Sequence, residues 1–140
     1  MAKQVQITFD TSDPHAQAAW WAGLMGYEVE DHHDRIAQML EQGIVTDDQV
    51  TRIDGRLHFA DLVGASDTDG AGPRLLFQRV PEGKTAKNRV HLDVRIGDAD
   101  LEAEVERVKG TGATFVEFQT QGPQRWAVMQ DPEGNEFCLT

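Results

Sequence analysis

Arg89-Val90-His91-Leu92-Asp93-Val94-Arg95-Ile96 is the stretch on which the fold turns. Val90, Leu92, Val94 and Ile96 alternate with His91, Asp93 and Arg95, which is the period of a strand with one buried face. The same pattern stands near the start of the chain. There Val5, Ile7 and Phe9 alternate with Gln6, Thr8 and Asp10. Laid over one another, Gln6-Ile7-Thr8-Phe9-Asp10 matches His91-Leu92-Asp93-Val94-Arg95 in its order of apolar and polar positions.

The segments after the two strands also agree. After the first, Ser12-Asp13-Pro14 supplies a capping side chain and a proline for the first helical position. Ala16, Trp20 and Leu24 then share one helix face, and Gly26 is placed to end it. After the second, Asp98 or Asp100 caps a helix carrying Leu101, Val105 and Val108, stopped by Gly110 and Gly112. Tyr27 to Glu30, Leu57 to Leu62 and Arg74 to Val80 are expected strands of the first copy. Phe115 to Phe118, Trp126 to Met129 and Glu136 to Leu139 are those of the second. Leu76-Phe77-Gln78 aligns with Glu136-Phe137-Cys138. An insertion around residues 31 to 56 lengthens the first copy. Within it lie a helical run from Ile36 to Leu40, a capping box at Thr46-Asp47-Asp48-Gln49 and a hairpin turn at Asp54-Gly55. Ser66 to Pro73 is expected to be a loop. The chain therefore predicts an α+β fold of two βαβββ modules in one domain, about 4–82 and 88–140.

Of 140 residues, 24 are Asp or Glu and 13 are Lys or Arg, for a net charge of −11. Such a surface repels phosphate backbones and anionic lipid, so neither nucleic acid nor a membrane is an expected partner. By the same long-range argument a cationic ligand is favoured. The single cysteine, Cys138, has no intrachain partner and no zinc-type spacing. With no apolar leader and no apolar run of membrane-spanning length, a cytoplasmic protein is expected.

Several segments together resemble the vicinal oxygen chelate superfamily, in its glyoxalase-like and bleomycin-resistance-like branch. They are Thr8-Phe9-Asp10 through Ser12-Asp13-Pro14 and Ala18-Ala19-Trp20-Trp21, then Pro73 to Pro81, then Lys87-Asn88-Arg89-Val90-His91-Leu92-Asp93-Val94. The most specific is Asp131-Pro132-Glu133-Gly134-Asn135-Glu136-Phe137-Cys138-Leu139. The resemblance implies two modules whose curved mixed sheet forms a central cup, a homodimer, and a small-molecule ligand. In metal-dependent relatives, residues on the first and last strands of each module bind a divalent ion. Those places fall here on Gln6, Gln78, His91 and Cys138. Gln78 and Cys138 stand where carboxylates are expected, so a divalent metal cofactor is not expected.

His91 is the leading catalytic candidate, with Asp93 to orient it. Gln6, Thr8, Gln78, His91, Cys138, Trp21 and Trp126 are candidate ligand-binding residues. Asp31-His32-His33-Asp34 reads as a solvated helix start. Lys84, Lys87 and Arg89 form a basic connector within reach of an anionic ligand. Two readings stay open: a lyase or isomerase acting on a small oxygenated metabolite, or a non-catalytic protein that sequesters a small molecule or drug.

Overall fold

The computed structural model describes all 140 residues and divides into two compact units, Met1–Glu82 and Gly83–Thr140. In the first, β1 (Ile7–Thr11) leads into α1 (Pro14–Met25). The Asp13 carboxylate accepts the Ala16 N–H as N-cap, Pro14 takes the first helical position, and Gly26 closes the helix in the left-handed region at φ 68°. β2 (Glu28–Val29) follows, then α2 (His33–Glu41), a 3₁₀ turn (Asp47–Gln49), and the hairpin of β3 (Val50–Ile53) and β4 (Arg56–Phe59). β5 (Leu62–Ser66) and β6 (Leu75–Arg79) complete the unit.

Its four-stranded sheet has the order β1-β6-β5-β2. β1 and β6 run parallel, and the other pairs are antiparallel. One face packs on α1. Phe9 stacks on Phe77 and meets Trp21, with Ala18, Val63, Ala65 and Leu75 buried around them.

The second unit repeats this plan without the insertion. It consists of β7 (Asp93–Val94), α3 (Leu101–Lys109), β8 (Thr114–Gln121), β9 (Gln124–Gln130) and β10 (Glu136–Leu139). Its sheet order is β7-β10-β9-β8, again with the first and last strands parallel. β1, β2, β5 and β6 thus occupy the places of β7, β8, β9 and β10, and each unit is a βαβββ module. Val105 and Val108 of α3 are buried, as are Ala127, Met129, Phe137 and Leu139 of the sheet.

Three expectations change. The run from Leu57 to Leu62 is not one strand: it breaks between β4 and β5, and β5 extends through Ser66 into the predicted loop. β7 spans two residues rather than the seven from Val90 to Ile96. The strand register also separates two equivalences that the sequence alignment joins. Gln78 pairs with Asp10, whereas Cys138 pairs with Asp93. If Gln78 corresponds to Cys138, then Asp10 corresponds to Asp93 and Thr8 to His91, leaving Gln6 one pleat further along.

Candidate functional site

A turn fixes the strand that carries Cys138. The buried Asp131 carboxylate accepts the backbone N–H of Glu133 and Asn135, both at 2.9 Å, and the Asn135 amide. Gly134 supplies the positive φ, 86°, that the turn requires. β10 then alternates. Phe137 and Leu139 face the helix, while Glu136 and Cys138 face away from it.

The face turned away from α3 is concave. It encloses a cavity of about 980 Å³ lined entirely by residues of the second unit, among them Lys87, His91, Asp93, Arg95, Trp126 and Cys138. Trp126 and Val128 give it an apolar floor. Gln119, Gln121, Gln124 and Gln130 add neutral amides along β8 and β9. Glu136 lies at the rim, where it accepts the Asn88 N–H at 2.9 Å and pairs with Lys84 at 3.1 Å. Burial pushes its carboxyl up, but these contacts outweigh burial and hold it below its ordinary value. They also pin the connector, which brings Lys87 to the cavity.

At the β7 side, His91 Nδ1 lies 3.1 Å from Asp93 Oδ1. An ionised carboxylate only accepts, so Nδ1 carries the hydrogen, and in the neutral ring Nε2 is then the nitrogen with a lone pair. Cys138, cross-strand partner of Asp93 and 7% exposed, holds its sulfur within 4.8 Å of the same carboxylate. Burial, and then the Asp93 charge, push the thiol up, so it is a poor nucleophile. One nitrogen, one oxygen and one sulfur donor from His91, Asp93 and Cys138 lie within 4.8 Å of one another. This set does not fit the oxygen-preferring divalent ion of the metal-dependent relatives, because one of its three donors is sulfur.

The cavity brings His91, Asp93, Cys138 and Trp126 together, as the sequence suggests. The other candidates lie on the first unit. Trp21 is 1% exposed, wedged between α1 and its sheet against Phe9 and Trp20, so it is a core residue and not a ligand contact. Gln6, Thr8 and Gln78 belong to the first unit, on the sheet face opposite α1. There Arg74 donates to Gln6 at 2.8 Å, and Gln78 donates to Asp10 at 2.8 Å. On that face Glu30 receives Arg74 in a two-pronged pair at 2.6 and 2.7 Å and accepts from Ser66 and His32. Gly64 lies beneath, where any Cβ would strike the pair. The Arg74 hydrogen bonds bring the Glu30 carboxyl down to about 2 against the opposing effect of burial.

The histidines at the start of α2 serve structure. Asp31 accepts the His33 N–H, and His33 Nδ1 accepts the Leu57 N–H, which ties the helix to the hairpin. Sequence reasoning passed over Arg95 and the four cavity glutamines. Only Gln124 and Gln130 carried a local signal, since they alternate with the buried Ala127 and Met129 on β9.

The architecture defines a twin-βαβββ protein with a ligand-sized hollow on one sheet face. The chain belongs to the glyoxalase-like domain family, whose model matches residues 6–140. No curated protein matches it. Among solved structures it is similar to a fosfomycin resistance protein, FosX, from Listeria monocytogenes complexed with Mn(II) and 1S,2S-dihydroxypropylphosphonic acid. The identity is 13%, covering 99% of this chain and 89% of that one, with a TM-score of 0.63. A glyoxalase/bleomycin resistance protein/dioxygenase family enzyme from Burkholderia phytofirmans shares 17% identity over 99% and 97% of the chains, with a TM-score of 0.62. The bleomycin-binding protein from Streptomyces verticillus, complexed with copper(II)-bleomycin, shares 16% over 100% and 98%, with a TM-score of 0.55. These likenesses establish the vicinal oxygen chelate fold.

Proposed function

We propose that the hollow of the second unit is a small-molecule site at which His91 acts as a general base, making the protein a lyase or isomerase of a small oxygenated metabolite. The observation that carries this is the 3.1 Å contact between His91 Nδ1 and Asp93 Oδ1. It sets the imidazole tautomer and leaves Nε2 as the proton acceptor, and it stabilises the imidazolium once the proton arrives. Trp126 and Val128 exclude water from one side of a bound molecule, while the glutamine amides orient its oxygen atoms. Cys138 stays a thiol and supplies a hydrogen bond, not a nucleophile.

The test is deuterium wash-in. Small hydroxy- and oxo-carbonyl compounds are incubated with the protein in D₂O, and exchange beside the carbonyl is read by NMR. Exchange by the native protein that His91→Asn removes is the expected result. No exchange into any compound would end the enzymatic reading.

A second reading, sequestration, is favoured by the lack of a second carboxylate at Gln78 and Cys138 and by the amide-rich wall. The similar Streptomyces protein binds bleomycin. Saturable binding without turnover, indifferent to His91→Asn, would support it.

A further inference from the structure

The whole chain is strongly acidic, but charge inside the hollow is sorted by strand. The sheet order is β7-β10-β9-β8. Lys87, on the connector, and Arg95, just past β7, line the hollow and enter no ion pair with a protein carboxylate. Lys87 makes one long hydrogen bond, 3.4 Å, to the Asn88 carbonyl. Its charge reaches the Cys138 thiol, which it acts to lower. The remaining lining charges are spoken for or distant. Asp93 receives His91, Glu136 receives Lys84, and Arg125 is bound to Glu102 and lies over Phe118. Glu117 sits on β8, three strands from β7 and so roughly 14 Å away at the usual strand spacing. It also accepts from Gln119 at 2.8 Å.

Along its β7 edge the hollow therefore carries two cations without a carboxylate partner, Lys87 and Arg95, flanking the His91–Asp93 pair; Trp126 forms its aromatic floor, and the opposite wall carries amides and Glu117. We propose that its ligand is an aromatic carboxylate, with its ring on Trp126 and its carboxylate toward the Lys87 and Arg95 edge, away from Glu117. This rests on the reading of the hollow as a small-molecule site. It reverses the expectation from net charge, because a contact a few ångströms long is screened far less than the field of a distant surface.

Three probes share one body and differ in charge: 4-hydroxyphenylacetate, its neutral amide 4-hydroxyphenylacetamide, and the cation tyramine. Each is titrated at low salt into isotopically labelled protein, and backbone amide resonances are followed. The acetate is expected to shift resonances of Lys87, His91, Asp93, Arg95 and Trp126. It should bind roughly four- to twenty-five-fold tighter than tyramine, each of the two exposed ion pairs contributing a factor of about two to five. The double variant Lys87→Gln, Arg95→Gln should erase that preference while leaving the neutral amide's affinity in place. Tyramine binding in the hollow as tightly as the acetate overturns the proposal and leaves the small-molecule site standing. Failure of all three probes to move those resonances overturns both.

Discussion

Cys138 and His91 converge on one carboxylate: the imidazole Nδ1 hydrogen-bonds Asp93 at 3.1 Å, and the Cys138 sulfur lies within 4.8 Å of it. The hydrogen bond makes the tautomer of His91 depend on Asp93. Nitrogen NMR shifts should show the Nδ1–H form in the native protein and a move toward the Nε2–H form in Asp93→Ala. If His91 is the proton acceptor, His91→Asn should lower deuterium wash-in by about 10²- to 10⁴-fold, the usual worth of a positioned base. An unchanged tautomer in Asp93→Ala would show that the carboxylate does not set the ring.

Cys138 should resist alkylation. Burial and then the Asp93 charge hold the thiol above its ordinary value, so little thiolate is present at pH 8. Iodoacetamide should label it far more slowly than in denaturant, and Asp93→Asn should speed labelling in the folded protein. Native-state labelling as fast as that of the unfolded chain would contradict the geometry.

Manganese should not settle on this trio. In titrations followed by electron paramagnetic resonance, the signal of free Mn(II) should be undiminished by the protein, because a protonated thiol is a poor ligand for a hard ion. A thiolate charge-transfer band with cobalt(II) would show that the thiol yields to a softer ion.

The Glu30–Arg74 pair should appear in the acid limb of stability. The folded carboxyl lies at about 2, below its ordinary value of 4.5. Its contribution is therefore full above about pH 4.5 and lost as the pH falls toward 2. Glu30 is 17% exposed and Arg74 38%, so solvent screening trims the contribution to the order of 2 kcal/mol. Glu30→Gln should destabilise the protein by about that much at pH 7 and very little near pH 2, as urea melts would measure. Gly64→Ala should cost about 1–3 kcal/mol, since the new methyl collides with the locked pair.

The hairpin of the first unit should loosen in mild acid. His58 is held below its ordinary 6.5 by burial and then by His15, whose ring meets it edge-on at 5.5 Å. Arg56 and His32 act in the same direction and Asp31 opposes them. A lowered histidine contributes stability that is full above about pH 6.5 and lost as the pH drops through the folded value. Protection factors of the β3 and β4 amides, corrected for the intrinsic pH dependence of exchange, should therefore fall below pH 6.5, and His58→Gln should flatten that dependence. Protection factors that stay level between pH 7 and 5 would refute this coupling.

The modules were legible because their signals were local and mutually consistent. The Asp13-Pro14 cap, the Asp54-Gly55 turn, and the strand from Glu136 to Leu139 each stand where the residues put them. β5 escaped because Gly64 and Ala65 carry too little side chain to show alternation, although both are buried beneath neighbours far away in sequence. Trp20 and Trp21 point about 100° apart on one helix, and nothing local says which of them the sheet will cover. The strand register was hidden for a similar reason. A slip of two residues keeps every side chain on its own face, so alternation alone does not distinguish Gln6 from Thr8 as the counterpart of His91. The His91–Asp93 contact was visible in His91-Leu92-Asp93, because residues two apart on extended chain share a face. The cavity's cations and glutamines were not, because their meaning depends on the strand order.

The Glu30–Arg74 pair also makes the two halves unlike. In the first module the sheet face opposite its helix carries an ion pair that crosses Gly64 and braces the strands from above. In the second module the corresponding face is hollow. One plan used twice has therefore given the same surface a brace in one copy and left it open in the other.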